Sequence, residues 1–236
     1  MSSFHVASRG TKIRHWTLWI ISGASALLIA GAVWFYVHIQ PSVQSDRSGP
    51  YFSQSPIPLK QGTQVGLLFA PYGDQPSGGQ GMPVDAIAAD RTDQDAYHTH
   101  VHLSLYVNGK QAAVPAGIGI VPPWIGSPNV FIDGGRAMYW LHTHDNTGII
   151  HIESPGRRNF TLGNFFDIWG VKLSQNQFLN IRTKVTTFVN GILYKGDPTT
   201  IELTPHKQIT LELGAPIVLP EKYAWPASLL KTETVH

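Results

Sequence analysis

Histidine is the residue type that stands out by its placement. Six of the chain's 11 histidines (His98, His100, His102, His142, His144 and His151) fall between residues 98 and 151. Neutral imidazole is the commonest protein metal ligand, and three such rings on neighbouring strands can close on one ion. A single histidine is more often structural, and Thr, Lys, Glu or Ser would serve an exposed strand face as well. The clustering of six is what points to metal, and without metal the same rings would form a pH sensor titrating near 6.5. Imidazole ligands suit Zn(II), Cu(II), Ni(II) and Fe(II). The chain has no cysteine, which excludes thiolate sites and a Cys nucleophile, and past its first 38 residues only Met82 and Met138 supply thioethers, a poor set for Cu(I). Zn(II) or Cu(II) is therefore the expected cofactor.

Three of the six histidines sit in a stretch that reads as a β-hairpin. Trp140-Leu141-His142-Thr143-His144 and Ile149-Ile150-His151-Ile152-Glu153 flank the turn formers Asp145-Asn146-Thr147-Gly148. Either loop length available at that tip sets residue 144 opposite 149, 142 opposite 151 and 140 opposite 153. Side chains alternate along a strand, so His142, His144, His151 and Glu153 share one face with Trp140 and Ile149, while Leu141, Thr143, Ile150 and Ile152 take the other. Glu153 can then be a fourth ligand, a partner of a ligand or a general base, and the sequence leaves these open.

The other three histidines lie on a second strand. Tyr97 to Val107 alternates strictly, with His98, His100, His102, Ser104 and Tyr106 on one face and Val101, Leu103, Leu105 and Val107 on the other. Asn108-Gly109 suits a type I′ turn, so Lys110 to Pro115 should return antiparallel, and Asn190-Gly191 repeats the device between 184–189 and 192–195. Thr161 can cap a short helix with an apolar stripe at Leu162, Phe165, Phe166 and Trp169, ended by Gly170 at C′. That stripe is the face that seals one side of the sheet. Further strands are expected at 201–203 and 208–213. The fold class is thus mainly β, built from antiparallel hairpins in a sandwich-like or barrel-like arrangement with one short helix.

The N-terminus has a different character. No Asp, Glu, Lys or Arg occurs from His15 to Ser45, and Trp16 to Val37 is long enough to cross a bilayer as a helix. Arg9, Lys12 and Arg14 precede this span and no cation follows it before Arg47, which keeps residues 1–15 in the cytoplasm and exports the rest. Ala30-Gly31-Ala32 offers a signal-peptidase alternative, but the apolar run continues through Val37. The reading is a single-pass protein of the plasma (inner) membrane, anchored through 16–37. Residues 38–96 form an extended Pro/Gly-rich tether whose apolar island, Val65 to Phe69, can add an edge strand, 97–215 the His-rich β domain and 216–236 an extended C-terminal tail. A formal net charge of +2 gives no indication of a nucleic-acid partner.

Leu141 to Glu153, then Phe160-Thr161-Leu162-Gly163-Asn164-Phe165-Phe166-Asp167-Ile168-Trp169-Gly170, together with the Val-Asn-Gly hairpins, resemble an uncharacterised family of bacterial envelope proteins over roughly residues 97–215. The resemblance implies a bacterial exported location and no particular activity. The expected function is that of a membrane-anchored extracytoplasmic metal-binding protein, for delivery, storage or sensing. The alternatives are a three-His metalloenzyme, hydrolytic or redox, and a metal-free envelope interaction module; protein partners are unknown.

Overall fold

Tyr97–Val107, the strand expected from its strict alternation, runs through the centre of the largest sheet. The computed structural model describes residues 51–53, 55–69, 79–92, 94, 96–230 and 233–234. The expected membrane span at 16–37 lies outside them, and among the described residues no helix is long and apolar enough to cross a membrane. The described chain is mainly β, with one α-helix.

The strands of the main sheet that matter here are β1 (Tyr97–Val107), β2 (Lys110–Ala113), β3 (Leu141–His142), β4 (Ile149–Ser154), β5 (Val185–Val189), β6 (Ile192–Tyr194) and β7 (Gln208–Leu213). Their order is β3-β4-β1-β7-β5-β6, with β2 pairing the far half of β1. The turns joining β1 to β2 and β5 to β6 place Asn108 and Gly109 at φ 50° and 73°, and Asn190 and Gly191 at φ 50° and 76°. Two consecutive residues at positive φ are what a type I′ hairpin requires, and Asn-Gly adopts that pair with little strain. Among these seven strands one pairing departs from the antiparallel expectation: β7 runs parallel to β1, from Gln208 opposite His102 to Leu213 opposite Val107. The intervening helix and hairpin bring the chain back to the same end of the sheet, a crossover that local turn signals do not encode.

Period-two alternation gives the sheet two unlike faces. Val101, Leu103 and Leu105 of β1 join Leu141, Ile150, Ile152, Ile209 and Leu211 in the main apolar core. Helix α1 (Leu162–Trp169) closes this side with Phe165, Phe166 and Trp169, all buried. Its ends are as the sequence demands: Thr161 and Asn164 form a reciprocal capping box, and Gly170 at φ 75° terminates it in the left-handed conformation.

The opposite face carries His98, His100, His102, Ser104 and Tyr106 of β1 and, across the parallel pair, Gln208, Thr210 and Glu212. It is not a solvated face. Composition reads 38–96 as a tether and 216–236 as an extended tail, yet where these segments are described they lie on the sheet. Ile57–Pro58 pairs in parallel with Tyr223–Ala224. Leu59, Tyr223 and Leu229 form an apolar cluster with Ile149, flanked by Val65 and Trp225. Leu67–Leu68 adds an edge strand to β2, and the backbone of Glu233–Thr234 pairs with the start of β1. The apolar residues within these segments are enough to dock them.

Candidate metal centre

Register brings the histidines together. His142 lies opposite His151 in the β3–β4 pair, as the hairpin reading requires, and β4 in turn sets His151 opposite His100 and Glu153 opposite His98. The central strand thus carries His151 and Glu153, and each neighbouring strand presents a His-Thr-His triplet, His98-Thr99-His100 on one side and His142-Thr143-His144 on the other. The intervening Thr99 and Thr143 point away from the cluster by alternation and are fully buried. His142, His144, His151 and Glu153 offer ligand atoms that all lie within 4.8 Å of one another, and so do His98, His100 and His151. Either group could hold a metal ion.

Backbone contacts hold His144 past the end of β3. Ile132 N donates to the His144 carbonyl at 2.8 Å, the ring Nδ1 lies 2.5 Å from the Ile132 carbonyl, and the Phe131 ring stacks on the imidazole at 4.8 Å between centroids. The hairpin tip, Asp145 to Gly148, is buried rather than solvated. Gly62 N donates to Asp145 Oδ2, Val65 N to the Asn146 carbonyl and Ala116 N to Asn146 Oδ1. Gly148 sits at φ 85°, where a Cβ would come within 2.3 Å of the Leu103 carbonyl oxygen. The tip is therefore a fixed part of the site's framework.

Ring orientation follows from the same backbone. A carbonyl only accepts, so a ring nitrogen bonded to one must carry the proton, and a neutral imidazole then has a bare lone pair on its other nitrogen. Nδ1 of His142 donates to the Tyr139 carbonyl at 2.8 Å, Nδ1 of His144 to Ile132, and Nδ1 of His100 to the Leu229 carbonyl at 3.1 Å. His142 and His144 thus aim the lone pairs of two Nε2 atoms at each other across 3.0 Å. Two acceptors at that separation repel unless a cation lies between or beside them. A shared proton is one such cation, and burial opposes it at His144, pushing that ring's pKa down to about 4 with His142 adding to the effect. A metal ion meets the geometry without that difficulty: nitrogens about 2.0–2.1 Å from a tetrahedral Zn(II) are roughly 3.3 Å apart. Donation of the far N–H to a backbone carbonyl is also how metal-bound histidines are oriented.

Electrostatics point the same way. Burial holds His100 down to about 4, helped by His98, and drives His151 well below the ordinary histidine range. Nδ1 of His151 is buried with no hydrogen-bond partner, although Glu153 Oε1 lies 3.4 Å away in a poor direction. Glu153 is held below the ordinary carboxylate range: burial works against its ionisation, but the close His151 side chain and the charges of His142, His151 and His98 outweigh that. Its oxygens are divided between the two triplets, with Oε1 3.1 Å from His98 Nε2 and Oε2 3.8 Å from His142 Nε2. The result is a carboxylate among five histidines, of which His100, His144 and His151 are held neutral by burial. His98 is the most exposed of these residues, its side chain 27% accessible.

His102 does not join this group. It lies opposite Ile149 rather than another histidine, its Nε2 donates to the Thr147 carbonyl at 2.8 Å, and Ser104 Oγ is 3.4 Å from its Nδ1. With both nitrogens engaged and the Tyr223 ring 4.1 Å away, it is a satisfied interior histidine. The sequence also gives no sign of the three carbonyls, from Tyr139, Ile132 and Leu229, that set the ring tautomers. Every residue has a carbonyl, so only the fold distinguishes these.

No protein-family model, no curated protein and no solved structure matches the chain. The chemistry of the site must be read from its own geometry.

Proposed function

We propose that this is a membrane-anchored extracytoplasmic protein that binds a transition metal, Zn(II) or Cu(II), for delivery, storage or sensing. The observation that carries the reading is the facing pair of His142 and His144, whose Nδ1 atoms are tied to carbonyls and whose Nε2 atoms meet at 3.0 Å. The unpartnered Nδ1 of buried His151 supports it. Location rests on the sequence, through the apolar stretch at 16–37 and the cations that precede it. A reporter enzyme fused after His236 should be active only outside the cytoplasm; activity inside would reverse the topology.

Metal analysis of the untagged full-length chain, purified in detergent without chelator, is the direct test. Co-purification of a first-row metal, lost in the His142→Ala, His144→Ala double variant, is expected. A protein that is metal-free as isolated and takes up neither Zn(II) nor Cu(II) on titration would refute the reading.

A catalytic version of the same site is favoured by one feature, the ionised Glu153 beside the ligands and next to the partly exposed His98. A carboxylate so placed can take a proton from a metal-bound water. Glu153→Gln would then abolish turnover while leaving metal in place, whereas a holding protein shows no turnover to lose.

A further inference from the structure

The two candidate groups share His151, and each also uses one of the two His-Thr-His triplets. Within both triplets the Nε2 atoms are 3.0 Å apart, His98 with His100 and His142 with His144. The rings surround His151 closely: His100 lies 4.6 Å and His144 4.5 Å from it between centroids, each edge-on. A neutral imidazole coordinates one ion at a time, so His151 cannot complete both groups. A carboxylate can serve two, because each oxygen has its own lone pairs. Glu153 is the residue so disposed, with Oε1 toward His98 and Oε2 toward His142.

We propose that the cluster is a dinuclear metal centre in which His142 and His144 hold one ion, His98 and His100 hold the other, and the Glu153 carboxylate bridges them. This rests on the metal-binding reading above and deepens it. His151 completes the ion on the His142 side, where it groups with Glu153 as well. The second ion is then the less saturated of the two, and it sits beside His98, the ring most open to solvent. Carboxylate-bridged pairs of this kind hold their ions about 3.5–4 Å apart, near enough for both to act on one small bound molecule. The alternative for the second triplet needs no ion: His98 Nε2–H can donate to His100 Nε2 or to Glu153 Oε1, though one proton cannot fully serve both acceptors.

Stoichiometry and magnetism separate these cases. Full-length, untagged protein in detergent is loaded with excess Zn(II) or Cu(II), freed of loosely held metal by gel filtration, and assayed for metal per chain. The expected result is two ions per chain. The copper form should have a spin-coupled resonance spectrum of much reduced intensity, because one carboxylate links two Cu(II) ions. His98→Ala with His100→Ala, and separately His142→Ala with His144→Ala, should each bind one ion and give an uncoupled Cu(II) spectrum. Glu153→Gln should lose the coupling. One ion per chain in the unaltered protein overturns the dinuclear centre and leaves the metal-binding reading standing, while none overturns both. Two ions with an uncoupled spectrum refute the bridge. The unaltered protein alone decides among these outcomes, so a variant that fails to fold does not blunt the test.

Discussion

Glu212 offers a sharp test of whether the polar face of the sheet is truly buried, at a point away from the metal cluster. It lies on β7 opposite Tyr106, is 1% exposed, and accepts a hydrogen bond from Val218 N at 2.8 Å through Oε2, while Oε1 has no partner. Burial pushes its pKa up from 4.5 to about 7, against the opposing pull of the Val218 bond. Between those values the folded protein keeps a proton that the unfolded chain has released. The stability this group contributes is therefore complete below 4.5 and is lost as pH rises through about 7. At about 1.4 kcal/mol per pH unit, the interval amounts to about 3 kcal/mol. His100, His102 and His144, held near 4, act in the opposite sense and withdraw stability as pH falls from 6.5. A simple pH scan mixes the two, so the quantity to measure is the difference between Glu212→Gln and the unaltered chain, in which the histidine contribution cancels. Gln keeps an acceptor for Val218 and cannot ionise. Denaturant unfolding of the metal-free protein, followed by tryptophan fluorescence from pH 5 to 8, should show the variant gaining about 2.5 kcal/mol on its parent. A difference that stays flat with pH would mean that the carboxyl is solvated and that 216–226 does not cover the sheet.

Other substitutions probe the frame around the site. Trp169→Ala should cost about 3–5 kcal/mol in unfolding free energy, since the ring is buried between α1 and the sheet with Phe178; a near-neutral effect would place the aromatic stripe elsewhere. Thr143→Val leaves every proposed ligand in place but removes the bond from its hydroxyl to the Pro115 carbonyl and the acceptor for Ile118 N. It should lower stability by about 1–3 kcal/mol while metal stoichiometry at saturation is unchanged; altered stoichiometry would argue against the assigned parity. Gly148→Ala should destabilise the chain and weaken metal uptake together, because its Cβ would strike the Leu103 carbonyl at a backbone angle that alanine disfavours. An unaffected Zn(II) affinity would show that the hairpin tip does not position His144.

Local patterns were legible because their causes are local. The I′ turns need two residues at positive φ and Asn-Gly supplies them, the capping pair Thr161 and Asn164 lies within one turn, and a tip of either two or four residues sets His142 opposite His151. The longer-range facts have no local signature. Nothing in Tyr97 to Val107 says that β4 will dock with His100 opposite His151, nor that His102, with the same parity as its neighbours, will fall beyond the reach of the cluster beside Ile149. Slipping that pairing by two residues would keep every face and exchange His102 for His100. The fold excludes the slip through contacts such as Leu103 N to the Gly148 carbonyl, made by residues that carry no chemistry themselves. The docking of 57–65 and 223–230 was hidden for other reasons: in the first the apolar residues are diluted by Pro, Gln and Lys, and the second, though largely apolar, has neither a helical nor a strand period.

Burial of the polar face is also what gives the metal reading its force. An interior polar group without a partner costs several kcal/mol. His102 avoids that cost with a backbone carbonyl and a serine hydroxyl. Glu212 bonds Val218 N through one oxygen and avoids a buried charge by taking up a proton over the acid half of the physiological range. The His142–His144 pair has no such partner on its Nε2 atoms. Its Nδ1 protons are already committed to carbonyls, its two lone pairs face each other, and added protons are opposed by burial at His144. Both rings are buried, His142 at 1% and His144 at 8% exposure. A chain needing only a stable interior could have placed apolar residues here, as it did one residue away at Leu141, Ile150 and Ile152. That this face instead gathers five imidazoles around one carboxylate, four of them buried, is the arrangement a cation resolves and an apolar core would never require.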